Sequence, residues 1–491
     1  MFQTLKNAWK IPELKNKLLF TLLIVLLYRI GASIPLPWVS NEIYSAFQSA
    51  ASGSMFQYLN LLSGDAFSRA TLFALSVSPY ITASIVMQLL TIAIPALERM
   101  AKDGENGKKK ITAITRVVTV ALALITAYGY TLYLENWDLD MYTSGIQSPM
   151  LYTGGGAAQL WFCRITLILC YCAGASLIMW LAEKINEKGI GNGISIILFA
   201  NIVARVPQYL TSTIPSICEY LTYNVEQQVV STILYVLIYI LSVAAIVAMF
   251  GFVVWFTGSE RRIPITYAKR VVGRKMYGGQ SSSLPLKLNM SGVMPIIFAN
   301  SIVALPATVA AFFTYVPKEG DWLYFAKGFI VTMNDFFQQM TDVLSYTSPM
   351  YLIIFIALII AFSYFYIMIS FNPVEVANNI RNNGGSIPGI RPGKPTIDYI
   401  KKILNRVTLI GGLFLCVVSG LPLLVVIASS LIIDPQTVAM EAQGVTQAFM
   451  SALSELAFSG SSLLIVVGVA LETVRELEAQ ITLRNYKGFL D

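Results

Sequence analysis

The stretch Leu61–Leu97 reads LLSGDAFSRATLFALSVSPYITASIVMQLLTIAIPAL and changes character at Ser76. From Val77 to Leu97 it is uncharged and apolar, about the 20 residues that a helix needs to cross hydrocarbon. Leu61–Leu75 is shorter, rich in small residues and unable to span. It is either a loop packed on the outer face or a re-entrant piece. The latter is tolerated only where protein surrounds its backbone.

The opening of this span recurs. Val77-Ser-Pro79-Tyr-Ile81-Thr-Ala83 and Val293-Met-Pro295-Ile-Ile297-Phe-Ala299 share V-x-P-x-I-x-A. Apolar runs of spanning character fall at Leu18–Ile34, Val77–Leu97, Val117–Leu134, Leu160–Leu181 and Ile190–Ala204, then at Val229–Phe256, Val293–Phe313, Pro349–Ser370, Val407–Ile427 and Phe458–Val474. The two V-x-P-x-I-x-A openings then start equivalent spans of two five-span halves. An odd number of spans per half requires the halves to be inverted if they are repeats. With a cytosolic N-terminus, 28 of the 34 Lys and Arg fall in inner segments and 4 in outer loops. That asymmetry is the positive-inside pattern. Trp38, Trp137, Trp161, Trp180 and Trp255 fall near span ends, as an aromatic belt does.

Composition excludes whole classes. Of 491 residues, 56% are apolar and 12% charged, with mean hydropathy +0.65. Neither a soluble enzyme nor a disordered chain carries so much apolar surface. Histidine is absent, which removes the commonest metal ligand and acid–base group. Of the five cysteines, Cys163, Cys170, Cys172 and Cys416 lie in apolar runs and read as small hydrophobes. Cys218, in a polar stretch, has no partner for a loop disulfide. Span interiors are almost free of charge: Arg29, Arg164 and Glu472 lie near span ends. An intramembrane hydrolase and an ion-coupled relay both lack their side chains. Gly189-Ile-Gly191-Asn-Gly193 follows a helical run and no Lys completes it, so it reads as a tight turn rather than a phosphate cradle. The expectation is a protein without catalytic residues, metal or cofactor.

Two inner loops are too long for connectors. Thr257–Gly292 and Phe371–Arg406 carry Gly and Pro punctuation with basic residues near their tips. Arg391 stands between Gly389-Ile390 and Pro392-Gly393, which suits a rigid turn. These loops are either a topology signal in contact with anionic lipid or a docking platform for a large acidic or RNA-bearing partner.

Four stretches then converge: SGDAFSRATLFALSVSPYITASIVMQLL, KINEKGIGNGISIILFANIVA, YAKRVVGRKMYGGQSSSLPLKLNMSGVMPIIFA and VANNIRNNGGSIPGIRPGKPT. In this order, from Lys6 to about Leu490, the chain resembles the SecY family, the channel subunits of the bacterial protein translocase. The resemblance implies an all-α membrane protein of ten transmembrane helices in two inverted five-helix halves, closing like a clamshell. The expected segments are a cytosolic amphipathic N-terminus (1–17), an N-terminal half (18–204), a C-terminal half (229–474) and a cytosolic tail (475–491). It implies a plug helix from Gly64 to about Leu75, including Asp65, Ala66, Phe67, Ser68, Arg69 and Ala70. The implied pore ring is Val77, Ile81, Leu198, Ile202, Ile297 and Ile465. Such a collar cannot replace an ion's hydration shell and dewets. Gln88 and Asn300 lie by resemblance at a lateral gate between the second and third spans and the seventh and eighth.

The resemblance also implies partners. These are the small membrane subunits SecE and SecG, the SecA motor ATPase, the ribosome and signal-bearing polypeptides, in the bacterial plasma membrane with both termini cytosolic. Lys269, Arg270, Arg274, Lys275 and Arg391 match its docking motifs. The rival reading is a secondary transporter of a small solute, also built from inverted repeats; the absence of charge within spans favours the channel.

Overall fold

The computed structural model describes residues 2–39, 56–136, 157–224, 229–230, 232–267, 270–272, 275–277, 281–313, 327–345, 348–432 and 459–487. Much of the outer loops 314–348 and 428–457 lies outside the described residues. Each of the ten apolar runs is carried by a helix. In chain order the helices are α1 (Phe2–Lys10), α2 (Pro12–Ser33), α3 (Phe56–Ser63), α4 (Ser78–Ala93), α5 (Pro95–Lys102), α6 (Gly104–Asn136), α7 (Ala157–Lys188) and α8 (Gly193–Gln208). They continue as α9 (Ile214–Thr222), α10 (Thr232–Gly258), α11 (Met294–Phe313), α12 (Lys327–Val343), α13 (Pro349–Ser370), α14 (Pro373–Asn382), α15 (Lys394–Ile432) and α16 (Ser459–Lys487).

Among the described residues six helices are long and apolar enough to cross a membrane, and a seventh counts if α4 and α5 are taken as one bent span. The second run therefore ends earlier than its hydropathy suggests. Pro95 has no N–H to give the preceding turn, and Ile94 is forced to extended backbone (φ −107°, ψ 113°), so α5 leaves α4 at 100°. The last run is longer than expected: α16 carries the tail in helix to Lys487. Proline opens α2, α4, α5, α13 and α14, where a missing N–H costs nothing. Ser348 and Asn372 cap α13 and α14 by accepting from the amides two residues on.

The helices pack in two equivalent sets. In the first, α4 packs on α6, α6 on α7 and α7 on α8, with α2 against α7 and α8. In the second, α11 packs on α13, α13 on α15 and α15 on α16, with α10 against α16. Phe256 of α10 also stacks on Phe414 of α15 at 3.8 Å. The sets meet along two seams: α11 against α4 and α6, and α8 against α16. The repeated motif is structural too. Ser76 (φ 50°) and Gly292 (φ 63°) adopt left-handed backbone just before Val77 and Val293. Those two carbonyls accept from Ile81 N and Ile297 N at 3.0 and 3.3 Å.

Exposure follows the hydrocarbon solvent. Only 6% of the apolar window of α10 is buried, against 67% for α15. Trp161, Trp180 and Trp255 are exposed. Cys163, Cys172, Cys218 and Cys416 are buried and all five cysteines are free. Between α9 and α10 the short strands β1 (Tyr223–Asn224) and β2 (Val229–Val230) pair antiparallel, and the long loops add a small antiparallel sheet in the order β6 (Ser281–Lys287), β3 (Glu260–Tyr267), β7 (Gly385–Ser386). The short strands β4 (Arg270–Val272) and β5 (Lys275–Tyr277) form a hairpin at its tip.

Candidate functional site

The residues expected in the ring fall on four of the five seam helices, α4, α8, α11 and α16. Ile81, Leu198, Ile202, Ile297 and Ile465 lie on them and Val77 lies just before α4. All six are at most 4% exposed and belong to one continuous apolar cluster. Four segments far apart in the chain bring them together where the two sets of helices meet.

The segment 64–77 sits over this cluster. It is not the plug helix that the resemblance implies but a train of turns. Gly64, Asp65, Ala70 and Ser76 all have positive φ, each of which ends a helix. Side chains replace the missing helical bonds. Ser63 Oγ accepts from Phe67 N at 2.9 Å, Asn60 Oδ1 accepts from Ser68 N at 3.0 Å, and Thr71 Oγ1 donates to Ala66 O at 3.3 Å. The segment is re-entrant: Ala66, Phe67, Ser68 and Ala70 are buried, whereas Arg69 is exposed.

One side of its seat is aromatic and tightly shaped. Tyr130 OH donates to Phe67 O at 2.5 Å and its ring packs on Phe67. Phe73 stacks on Tyr28 at 5.5 Å. Gly31 and Gly174 make room: a Cβ there would meet the Phe73 ring and Leu72 O, each at 2.1 Å. The other side is polar. Asn201 Nδ2 donates to Leu62 O at 2.6 Å and to Tyr28 OH at 2.8 Å. Arg29 donates to Gly64 O at 3.5 Å and to Asn201 Oδ1 at 3.4 Å. Arg205 reaches Asp65 at 3.3 Å.

Arg205 corrects the charge reading. Just past the apolar run Ile190–Ala204 it counts as an outer-loop charge, yet α8 continues through it and its side chain is 4% exposed. Asn60 likewise escapes sequence reasoning. The only sequence signal was a polar residue, Asn201, inside a short apolar run.

The seam of α4 and α6 against α11 is where the gate residues fall. Asn300 is 1% exposed, and its Nδ2 has no hydrogen-bond partner among the described residues. Gln88 is half-buried. An apolar cavity of about 120 Å³ opens where this seam meets the segment 64–77, lined by Leu62, Phe67, Thr82, Tyr130 and Ala304 among others. The eighth-span helix α13 packs behind α11.

On the other side of the ring the two long loops form one body. Ile263, Ile265 and Leu286 from the first loop share a core with Ile380, Ile387 and Ile403. Arg391 is exposed, and its carbonyl accepts from Thr396 Oγ1 at 2.9 Å. Positive φ at Gly389 and Gly393 brackets it, as the sequence suggests. Arg270 and Lys275 lie on the β4–β5 hairpin, while Lys269 and Arg274 lie outside the described residues. Partial burial lowers the pKa of Lys287, and Arg475 lowers it further, against the pull of Glu260 and Glu472. Gly189–Gly193 is the tight turn expected of it: Gly191 (φ 82°) donates to Glu476 of α16 at 2.8 Å, tying the halves on this face.

The chain is similar to known proteins throughout. The SecY family profile matches residues 71–474. A protein translocase subunit SecY from Streptomyces galbus is 38% identical over 495 residues, all of both chains. Its counterpart from Mycobacterium bovis is 36% identical over 496 residues, again all of both. Among solved structures, one titled as a protein-conducting channel covers 95% of this chain and 92% of its own at 16% identity and TM-score 0.54. A second, on the plug domain of SecY, has the same coverage at 17% identity and TM-score 0.57. The seams, the buried cluster that they enclose and this full-length similarity lead to one assignment: the chain is a multi-pass membrane protein that belongs to the SecY family of protein-conducting channels.

Proposed function

We propose that Val77, Ile81, Leu198, Ile202, Ile297 and Ile465 form the constriction through which unfolded polypeptides pass, with 64–75 as its plug. The observation that carries this is the convergence of six residues from four seam helices in one buried apolar cluster. A collar of branched side chains excludes ions and offers an extended chain no hydrogen bonds, so the chain slides. The seam of α11 with α4 and α6 is the lateral gate, where Gln88 and Asn300 lie and apolar segments leave for lipid. The ten apolar runs are ten spans, with both termini cytosolic, in a bacterial plasma membrane.

The joined inner loops are the docking platform. Lys269, Arg270, Arg274, Lys275 and Arg391 meet the SecA motor or the ribosome in turn, and the basic inner face meets anionic lipid. A structural neighbour, Sec61, is known within a canine ribosome–channel complex, which supports the ribosome as partner. SecE and SecG complete the complex, and the largely uncovered α10 supports a partner helix there. The energy comes from the partner's ATP hydrolysis or from translation.

The test is transport of a radiolabelled signal-bearing precursor into proteoliposomes containing this chain with SecE and SecG, with SecA and ATP outside. Expected is protease-protected precursor that depends on ATP and is lost with Arg391→Glu, while that variant still inserts normally. No protected precursor from an intact complex would return the solute-transporter reading and call for uptake assays.

A further inference from the structure

The polar side of the plug seat contains an ion pair that hydropathy hides. Leu198, Ile202 and Arg205 follow one another at helical spacing on α8, so the face that supplies the ring also presents a guanidinium. Its partner is Asp65, in the plug segment itself, at 3.3 Å. The two side chains are 4% and 15% exposed. Asn60 Nδ2 donates to the same Asp65 oxygen at 3.1 Å, which orients the carboxylate. Arg29 donates to the neighbouring Gly64 O, and Asn201 donates to Leu62 O.

We propose that Asp65 and Arg205 are a charge latch that positions the plug and sets the threshold a polypeptide must overcome to open the channel. The inference rests on the channel reading above. A buried pair is held by attraction that its lost hydration largely offsets, so the two charges separate at little cost when both return to water. Moving the plug aside does this. Removing one member leaves the other without this counter-charge in the closed state, which costs more than removing both. Phe67 and Phe73, on the aromatic side, hold the segment by area and shape, with no such dependence.

The experiment measures resting ion conductance of the reconstituted complex in planar bilayers, and transport of precursors with intact and weakened signals. Asp65→Asn and Arg205→Gln should each raise conductance about tenfold or more and admit the weakened precursor. Asp65→Asn lies outside every helix and keeps the test open where Arg205→Gln does not assemble. Arg205→Lys should stay closed. The double variant D65N/R205Q should leak less than either single one. Glu135→Gln breaks another half-buried pair, with Arg164, which joins α6 to α7 and includes no plug residue, and should leave conductance at the wild-type level. Single variants that stay as tight as wild type would overturn the latch. So would a double variant that leaks as the sum of the two, or a Glu135→Gln channel that leaks equally. A wild-type complex that transports no intact precursor would instead overturn the channel reading itself.

Discussion

Thr266 Oγ1 donates to the carbonyl of Ser386 at 3.2 Å, joining two long loops that are 120 residues apart in the chain. The pair sits in a two-rung antiparallel ladder, with Tyr267 opposite Gly385. Edge pairing and a shared core of isoleucines make one platform of two loops that look independent. The docking proposed for Arg391 on one loop and for the β4–β5 hairpin on the other would then be a property of one joined platform.

This joint predicts that Gly385→Val loosens both loops at once. A Cβ at Gly385 would lie 2.9 Å from Tyr267 Cε1 and 3.1 Å from Ile265 Cγ2 and Ile380 Cγ2. Overpacking of this kind costs about 1–3 kcal/mol. Limited proteolysis should cut both loops faster, and SecA affinity should fall, with resting conductance unchanged. Faster cleavage of the second loop alone would mean that the platform is two bodies.

The span pattern was legible because lipid imposes length and apolarity run by run. The six residues expected in the ring were nameable only through their motifs: nothing in the composition of Leu198 or Ile465 separates pore from core. The plug's form was not legible, since its backbone is set by left-handed residues such as Ala70 and Ser76, types that do not announce positive φ. Arg205 was misplaced because a hydropathy window ends at the first charge, whereas α8 does not. The bend at Pro95 was written in the sequence, but a hydropathy average runs across a proline.

Ile81 and Ile297 hold equivalent places after matched left-handed turns, at 3% and 2% exposure. Equivalent positions should fail equally. Ile81→Asn and Ile297→Asn each put a hydrogen-bonding group into the collar and should wet it. Planar-bilayer recordings should show similar rises in resting conductance for the two, with precursor transport retained. A leak from one and not the other would break the equivalence of the halves at the ring.

At the gate the sign of the effect comes from burial. The Asn300 Nδ2 is enclosed with no partner among the described residues, a condition that costs about 1–3 kcal/mol. Asn300→Leu removes that penalty from the closed state. The variant should need a stronger signal sequence than wild type, measured as a lower ratio of weakened to intact precursor transported. Gln88→Leu, at a half-buried position, should shift that ratio far less. An unchanged ratio for Asn300→Leu would remove the residue from the gate.

Gly174 separates intrinsic preference from fit. It lies inside α7, where replacing glycine by alanine ordinarily favours the helix by about 1 kcal/mol. Here a Cβ would stand 2.1 Å from Leu72 O, a backbone atom of the plug segment that has no flexible end to swing away. Gly174→Ala should therefore displace the segment and raise resting conductance. The same substitution in a chain lacking residues 64–73 meets no Leu72. There it should leave conductance where the deletion alone puts it and recover the helical gain as a higher melting temperature of the complex. A Gly174→Ala channel as tight as wild type would mean that α7 yields to the plug rather than the plug to α7.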